Sequence, residues 1–452
     1  MSGRNRRGRD AMGVGLAALS RLAGVAAIDR LKLRKPLERA VYRGSKAGFR
    51  GVGAANRTFA AVQQRSKPER PGTAPGRELF DLTPTDEQQM IVDATREFAA
   101  EQLRPIAGLA DADGAAPADV LKRANAELGV TLVGIPEALG GMGHERSCTT
   151  GALVAEALAH GDMGLAVACL APAAVSTALV LWGDETQQAT YLPSFVGDDV
   201  PPAALAILEP RPLFDPFRLE TTARRASGGY VLSGVKSLVP RGAAAELFVV
   251  AAALDGAPAL FILESGTNGV LVEADPAMGL RAAATTRLVL EDVAVPDGAL
   301  LGAGADTRSG RELPSAGVYA DCVRLSRVGW AALACGTGKA VLDYVIPYVN
   351  ERQAFGEPIS HRQAVAFMVA NIGIELEGAR LVMLRAAARA EQGKPFAREA
   401  GLARRLVAEY GMQIGSNGVQ LLGGHGYVKE HPVERWYRDL RAAAVMEGVV
   451  LV

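Results

Sequence analysis

Cysteine, histidine and aromatic side chains are scarce in this sequence. Its 452 residues include four cysteines (Cys148, Cys169, Cys322 and Cys335), widely spaced and with no CxxC pair. That argues against a disulfide scaffold or a zinc ribbon and suits a reducing compartment. The five histidines form no HExxH pair, which argues against a zincin-type site, and no metal is expected. No uninterrupted apolar run reaches the roughly 18 residues of a membrane span. The nearest candidate, Ala11–Leu33, is cut by Arg21, Asp29, Arg30 and Lys32. Only Tyr42, Phe49 and Phe59 are aromatic in the first 70 residues, so stacking on bases is poorly supported and no nucleic acid is expected.

What is present is an uneven charge distribution. Lys plus Arg (49) equals Asp plus Glu (49) overall, yet residues 1–70 hold 17 basic residues against four acidic ones. The chain reads as a basic arm on an acidic body. The Arg-rich start resembles an organellar transit peptide, but acids enter at Asp10 and charges alternate over Leu31–Glu38. The preferred reading is an arm on an anionic membrane surface, aided by Val14–Leu19 and Val25–Leu33. A solvated tail is the alternative. The expected location is cytoplasmic, peripheral at the membrane.

Patterning divides the chain into four parts: residues 1–78, a basic extension ending in the Lys67–Gly76 linker; 79–202, helical; 203–314, β-rich; and 315–452, helical. Thr83-Pro-Thr-Asp-Glu-Gln carries an N-cap signal leading into Met90, Ile91, Ala94, Phe98 and Ala99, spaced as a helical stripe. Short apolar runs at Tyr230–Leu232, Leu247–Val250, Leu260–Leu263, Val270–Val272 and Leu288–Val293 lie between turn residues and predict strands. Long helical patterns return at Val323–Val349, His361–Gln392 and Ala397–Val419. The fold class is a multidomain α+β protein: N-terminal helical domain, middle β domain, C-terminal helical bundle. The order lacks the βαβ alternation of a Rossmann or TIM-barrel enzyme.

Three motifs carry chemistry. Gln420-Leu-Leu-Gly-Gly-His-Gly-Tyr closes a helix with glycines that let backbone N–H groups approach a phosphate; alone, Gly423 and Gly424 read equally as a helix stop. Arg352-Gln-Ala-Phe-Gly-Glu-Pro-Ile with Gln363 combines an arginine for a diphosphate, an aromatic for a planar ring and a glutamine for a heterocycle edge. Taken alone it reads as an interhelix turn. Glu447 is the only carboxylate in Arg441–Val452, an otherwise apolar run that is expected to disfavour its charged form. Such tuning suits a base acting on weakly acidic C–H bonds.

Together and in this order, these motifs resemble the acyl-CoA dehydrogenase family over Thr83 to Gly448, about four-fifths of the chain. Pro432-Val-Glu-Arg with Arg438-Asp439, Ile135-Pro-Glu-Ala-Leu-Gly-Gly, Met278-Gly-Leu-Arg and Leu290-Glu-Asp-Val-Ala-Val-Pro support the likeness. The resemblance implies FAD, an acyl-CoA substrate dehydrogenated at its α,β bond, and an electron-transfer flavoprotein as partner. It implies Glu447 as the α-proton base and Arg327 beside the acyl-CoA. Arg352, Phe355, Gln363, Gln420, Gly423, Gly424 and Gly448 would hold FAD, partly across the interface of a homodimer or homotetramer. Ser326 stands where some members carry an alternative base.

The sequence departs from the family at two loops. The usual T-E-P-x-A-G-S-D is Leu208-Glu-Pro-Arg-Pro-Leu-Phe-Asp215, and the usual W-I-T-N is Leu238-Val-Pro-Arg241. Val449 replaces a common Thr or Ser. Hydroxyls expected to meet the flavin and the CoA arm are therefore lost at Leu208, Phe214 and Pro240. A second reading follows: a degenerate, non-catalytic or weak-flavin homologue serving as a subunit or scaffold. The apolar residues Val449–Val452 predict a segment that packs against something.

Overall fold

The computed structural model describes residues 83–142, 145–197, 199–302 and 315–452. The basic extension and linker, with the membrane contact expected of residues 1–70, lie outside the described residues.

Helix α1 (Asp86–Phe98) starts at a capping box. Thr85 Oγ1 accepts from the Gln88 N–H at 3.2 Å, and Gln88 Oε1 accepts from the Thr85 N–H at 3.1 Å. Its inward face is Val92, Thr95 and Phe98, continued by Ala99, whereas Met90 is 68% exposed. The expected stripe was thus misplaced at its start. The buried Thr95 tolerates the inward position because its hydroxyl donates to the Ile91 carbonyl at 2.6 Å. A π-helical turn (Ala99–Leu103) leads to α2 (Ala107–Asp113), α3 (Ala118–Leu128), α4 (Cys148–Gly161), α5 (Met163–Trp182), α6 (Glu185–Tyr191) and α7 (Pro193–Val196). Among the described residues α5 alone is long and apolar enough to cross a membrane. Ala11–Leu33 lies outside the described residues. Almost every α5 side chain is buried inside the protein, so its composition is that of a core helix.

The middle of the chain forms a mixed seven-stranded sheet: β1 (Ala203–Ala206), β2 (Thr222–Ala226), β3 (Gly229–Val239), β4 (Leu247–Leu254), β5 (Ala257–Glu264), β6 (Val270–Ala274) and β7 (Thr286–Pro296). All five expected apolar runs lie in strands; β1 and β2 add to them. β4 pairs β5 antiparallel along its length and pairs parallel with β1 (Ala203↔Leu247 to Ala206↔Val250) and with the end of β2. Both faces of β4 are covered. Val249 and Ala251 join the main core with α5, while Phe248, Val250 and Ala252 join a second core within the β domain. That double burial explains an uninterrupted apolar strand in place of alternation.

The C-terminal region comprises α8 (Ser315–Glu351), the hairpin β8 (Gln353–Ala354) and β9 (Glu357–Pro358), α9 (Gln363–Glu391), α10 (Ala397–Leu422), α11 (Val433–Leu440) and a single turn, α12 (Ala442–Val445). Val449–Val452 are all buried and belong to the main core. The expected packing partner is the chain itself: Val450 lies on Gly329 of α8 and Val452 on Gly151 of α4. All four cysteines are buried free thiols. Burial pushes Cys148 up to about 11 and Cys169 to about 12, which makes them poor nucleophiles at neutral pH.

Candidate functional site

Glu447 follows the last turn of helix and is 5% exposed. The chain bends out of α12 at Met446 (φ −71°, ψ 140°) and passes Gly448 at φ +76°. A Cβ on Gly448 would stand 2.9 Å from Ile207 Cγ1, so glycine is required both by conformation and by space. The Gly448 carbonyl accepts from Ser326 Oγ at 2.6 Å and from Trp330 Nε1 at 2.8 Å, both on α8. The residue at the alternative base position thus acts as a backbone clamp.

The surroundings of the Glu447 carboxylate correct the sequence expectation. It is buried, but not in an apolar setting: Arg327 Nη2 donates to Oε1 at 2.8 Å and Arg327 Nε reaches both oxygens at 3.2 Å. Arg404 Nη2, from α10, lies 3.5 Å from Oε1. Both partners are remote in sequence, so the local apolar run concealed them. Nearby Tyr319 is buried and donates to the Pro216 carbonyl at 2.6 Å. Burial, with the negative charges of Glu447 and Glu209, pushes its phenol well above the usual range.

A second buried pair supports the departing loop. Lys236 Nζ donates to Glu209 Oε1 at 2.9 Å and to the Ile207 carbonyl at 3.2 Å. Burial lowers Lys236 to about 8 even though Glu209 opposes the shift. Glu209 also accepts from the Glu220 and Thr221 N–H groups at 2.8 and 2.9 Å. Against the upward push of burial, Lys236 and these two donors hold it below the usual carboxylate range. Leu208 and Pro240 are buried, while Leu213 at the loop tip is fully exposed. Arg211 lies over the Phe214 ring, 5.4 Å from its centroid. Leu238, at φ +52°, donates its N–H to Asp275 at 3.1 Å and lines a cavity of about 380 Å³ with Met278, Leu280, Arg441, Val445 and Met446. Its wall is largely aliphatic, as the loop substitutions implied.

The remaining expected residues gather elsewhere. Arg352, Phe355, Gln420, Gly423 and Gly424 line a groove of about 540 Å³, joined by Tyr348, Arg362 and His425. Gly423 has φ +59°, and a Cβ on Gly423 or Gly424 would meet nothing within 4 Å, so both backbones face open space in the groove. Phe355 is 94% exposed, with the Arg362 guanidinium 5.1 Å from its ring centroid. Two guanidiniums, an exposed ring and an unobstructed glycine backbone fit the anionic and planar parts of a dinucleotide. Gln363 opens α9 beside Arg362 but does not line the groove. Gly448 is absent from this group and lies with Glu447. The groove and the Leu238–Met446 cavity share no wall residue. No group of three or more metal-ligating side chains occurs among the described residues.

Sequence reasoning missed Arg404, Trp330 and the Lys236–Glu209 pair. The one available signal was a lysine within an apolar strand next to a loop glutamate. A buried lysine requires a partner.

Comparison with known proteins places residues 85–199, 204–293 and 317–450 in the models of the acyl-CoA dehydrogenase N-terminal, middle and C-terminal domains. The chain is 32% identical to the mitochondrial short-chain specific acyl-CoA dehydrogenase of Bos taurus, covering 80% of this chain and 86% of that protein. It is 30% identical to the acryloyl-CoA reductase (NADH) of Anaerotignum propionicum, covering 82% and 93%. Among solved structures, butyryl-CoA dehydrogenase from Megasphaera elsdenii superposes with a TM-score of 0.73 at 28% identity, covering 82% of this chain and 96% of that one.

Proposed function

Since the chain belongs to the acyl-CoA dehydrogenase family of FAD-dependent oxidoreductases acting on CH–CH bonds, we propose that it dehydrogenates a short acyl-CoA with Glu447 as the α-proton base. The observation that carries this reading is the Glu447 carboxylate itself, buried, ionically held and fixed on both flanks. Bound FAD supplies the acceptor for the hydride equivalent that leaves the β-carbon. Glu447 takes the proton from the α-carbon, and Arg327 keeps the carboxylate oriented before and after the transfer. The names of the short-chain and butyryl relatives support a short acyl group.

FAD would be held by Arg352, Phe355, Gln420, Gly423 and Gly424, with Gln363 close by. Because that groove shares no wall with the Leu238–Met446 cavity, we infer that a second copy of the chain brings the two halves together. Phe367, Ile374 and Leu381, seven residues apart on α9, are 57%, 71% and 51% exposed and suit such an interface. An electron-transfer flavoprotein is the proposed electron acceptor. Peripheral membrane contact of a cytoplasmic protein is the proposed role of residues 1–70, supported by their basic charge and the apolar stretches Val14–Leu19 and Val25–Leu33.

The non-catalytic reading is favoured by one observation, the largely aliphatic wall of the cavity at Leu238. The Glu447→Gln variant separates the two. A catalytic chain loses about 10²–10⁴-fold in flavin reduction rate while retaining FAD and acyl-CoA binding. Equal rates in the variant and the wild type would remove Glu447 from the mechanism.

A further inference from the structure

We propose that Arg404 is a positioning residue that, together with Arg327, directs proton transfer to one particular oxygen of Glu447. The proposal rests on the dehydrogenase reading above. Helix α12 is a single turn, so its terminal carbonyls have no partners within it. Arg404, whose side chain is 14% exposed, supplies them: Nη1 donates to the Ala443 carbonyl and Nη2 to the Ala444 carbonyl at 3.1 Å. The same Nη2 stands 3.5 Å from Glu447 Oε1. One guanidinium therefore fixes both the turn from which Glu447 departs and the carboxylate itself.

The two oxygens are not equivalent. Oε1 receives Arg327 Nη2 at 2.8 Å, shares Arg327 Nε at 3.2 Å and faces Arg404 at 3.5 Å. Among the described residues, Oε2 receives only the shared Arg327 Nε at 3.2 Å. A proton arriving at Oε1 would displace strong charge-assisted contacts, whereas Oε2 keeps lone-pair capacity. Oε2 is the accepting atom: Arg327 Nη2 occupies Oε1, and Arg404 adds a second cation on the same side while holding the turn that carries Glu447. The charged and titratable groups that face Glu447 are Arg327 and Tyr319 from α8 and Arg404 from α10.

The test uses the full-length chain with Arg404→Gln and Arg404→Lys. In the FAD-loaded enzyme, Arg404→Gln should lower kcat by about tenfold to a hundredfold, with KM changed little. Arg404→Lys, which keeps the charge and can still reach the turn, should restore most of kcat. In flavin-free protein, amide hydrogen exchange over Ala444–Gly448 should rise about tenfold or more in Arg404→Gln, with the buried parts of α8 and α10 unchanged. A kcat identical in all three proteins would overturn the proposal, and so would unchanged exchange. If the wild type reduces its flavin with no acyl-CoA, the dehydrogenase reading fails and the proton-directing role fails with it. The exchange measurement still separates that result from failure of the clamp.

Discussion

At Glu447 the backbone is held as firmly as the side chain. Ser326 and Trp330 grip the carbonyl on one side, and Val450 packs onto α8 immediately beyond. A Cβ at Gly329 would stand 3.0 Å from Val450 Cγ1 and 3.3 Å from the Val450 carbonyl. Gly329→Ala therefore presses on the segment carrying Glu447. The expected cost is about 1–3 kcal/mol in denaturant unfolding, together with slower flavin reduction; an unchanged midpoint and rate would show that Val450 moves aside freely. The position of Glu447 was legible in the sequence; its chemical surroundings were not. Arg327 and Arg404 reach it from two different helices, and no linear spacing reports such a convergence. A lone carboxylate in an apolar run suggested an apolar setting, whereas two half-buried guanidiniums face it here.

Among elements, α11 joins the helical domains to the sheet through a buried charge network. Arg438 donates to both oxygens of Asp111 at 2.8 Å, and Arg435 Nε donates to Asp162 at 2.9 Å. Asp439 Oδ1 accepts from the Leu280 N–H at 2.6 Å. Burial, and next the negative charge of Asp162, raise Asp439 to about 8, opposed by Leu280, Arg438 and Arg435. A carboxyl group raised in the folded state binds its proton more tightly there than in the unfolded chain. Its stabilising contribution is full below the unfolded value near 3.8 and is lost as pH rises towards about 8. The wild type should therefore lose stability relative to Asp439→Asn between pH 4 and pH 8, as measured by urea midpoints. Parallel pH profiles would contradict this. The Arg438-Asp439 motif was visible in the sequence, but its partners Asp111 and Asp162 lie in another domain. Elements with strong periodicity or β-branched runs were legible in the same way. β1 escaped because Ala-Ala-Leu-Ala has no strand signature, and β2 because Thr-Ala-Arg-Arg-Ala buries only Ala223. Tertiary pairing with β3 and β4 decides both.

On the scale of the whole molecule, the chain holds a groove at Arg352–Gly424, a separate cavity at Leu238–Met446 and an exposed apolar stripe on α9. If a second copy completes the flavin site, disrupting the stripe should weaken cofactor binding from a distance. Ile374→Glu places a charge at its centre and should halve the solution mass seen by sedimentation. Flavin occupancy should fall with it, even though Ile374 does not line the groove. A variant of lower mass that keeps full flavin would show that one chain suffices. The domain order was readable because each layer has its own hydrophobic period, but the separation of the groove from Glu447 is a property of the folded chain alone.

The central claim is that this chain oxidises an acyl-CoA despite its altered flavin loops. The direct measurement is the visible spectrum of the FAD-loaded protein during anaerobic addition of a panel of short acyl-CoA thioesters. The account predicts that the oxidised-flavin band near about 450 nm bleaches with at least one short member of the panel. A fully loaded flavin that keeps its band through the whole panel, or a chain that takes up no FAD, would contradict it.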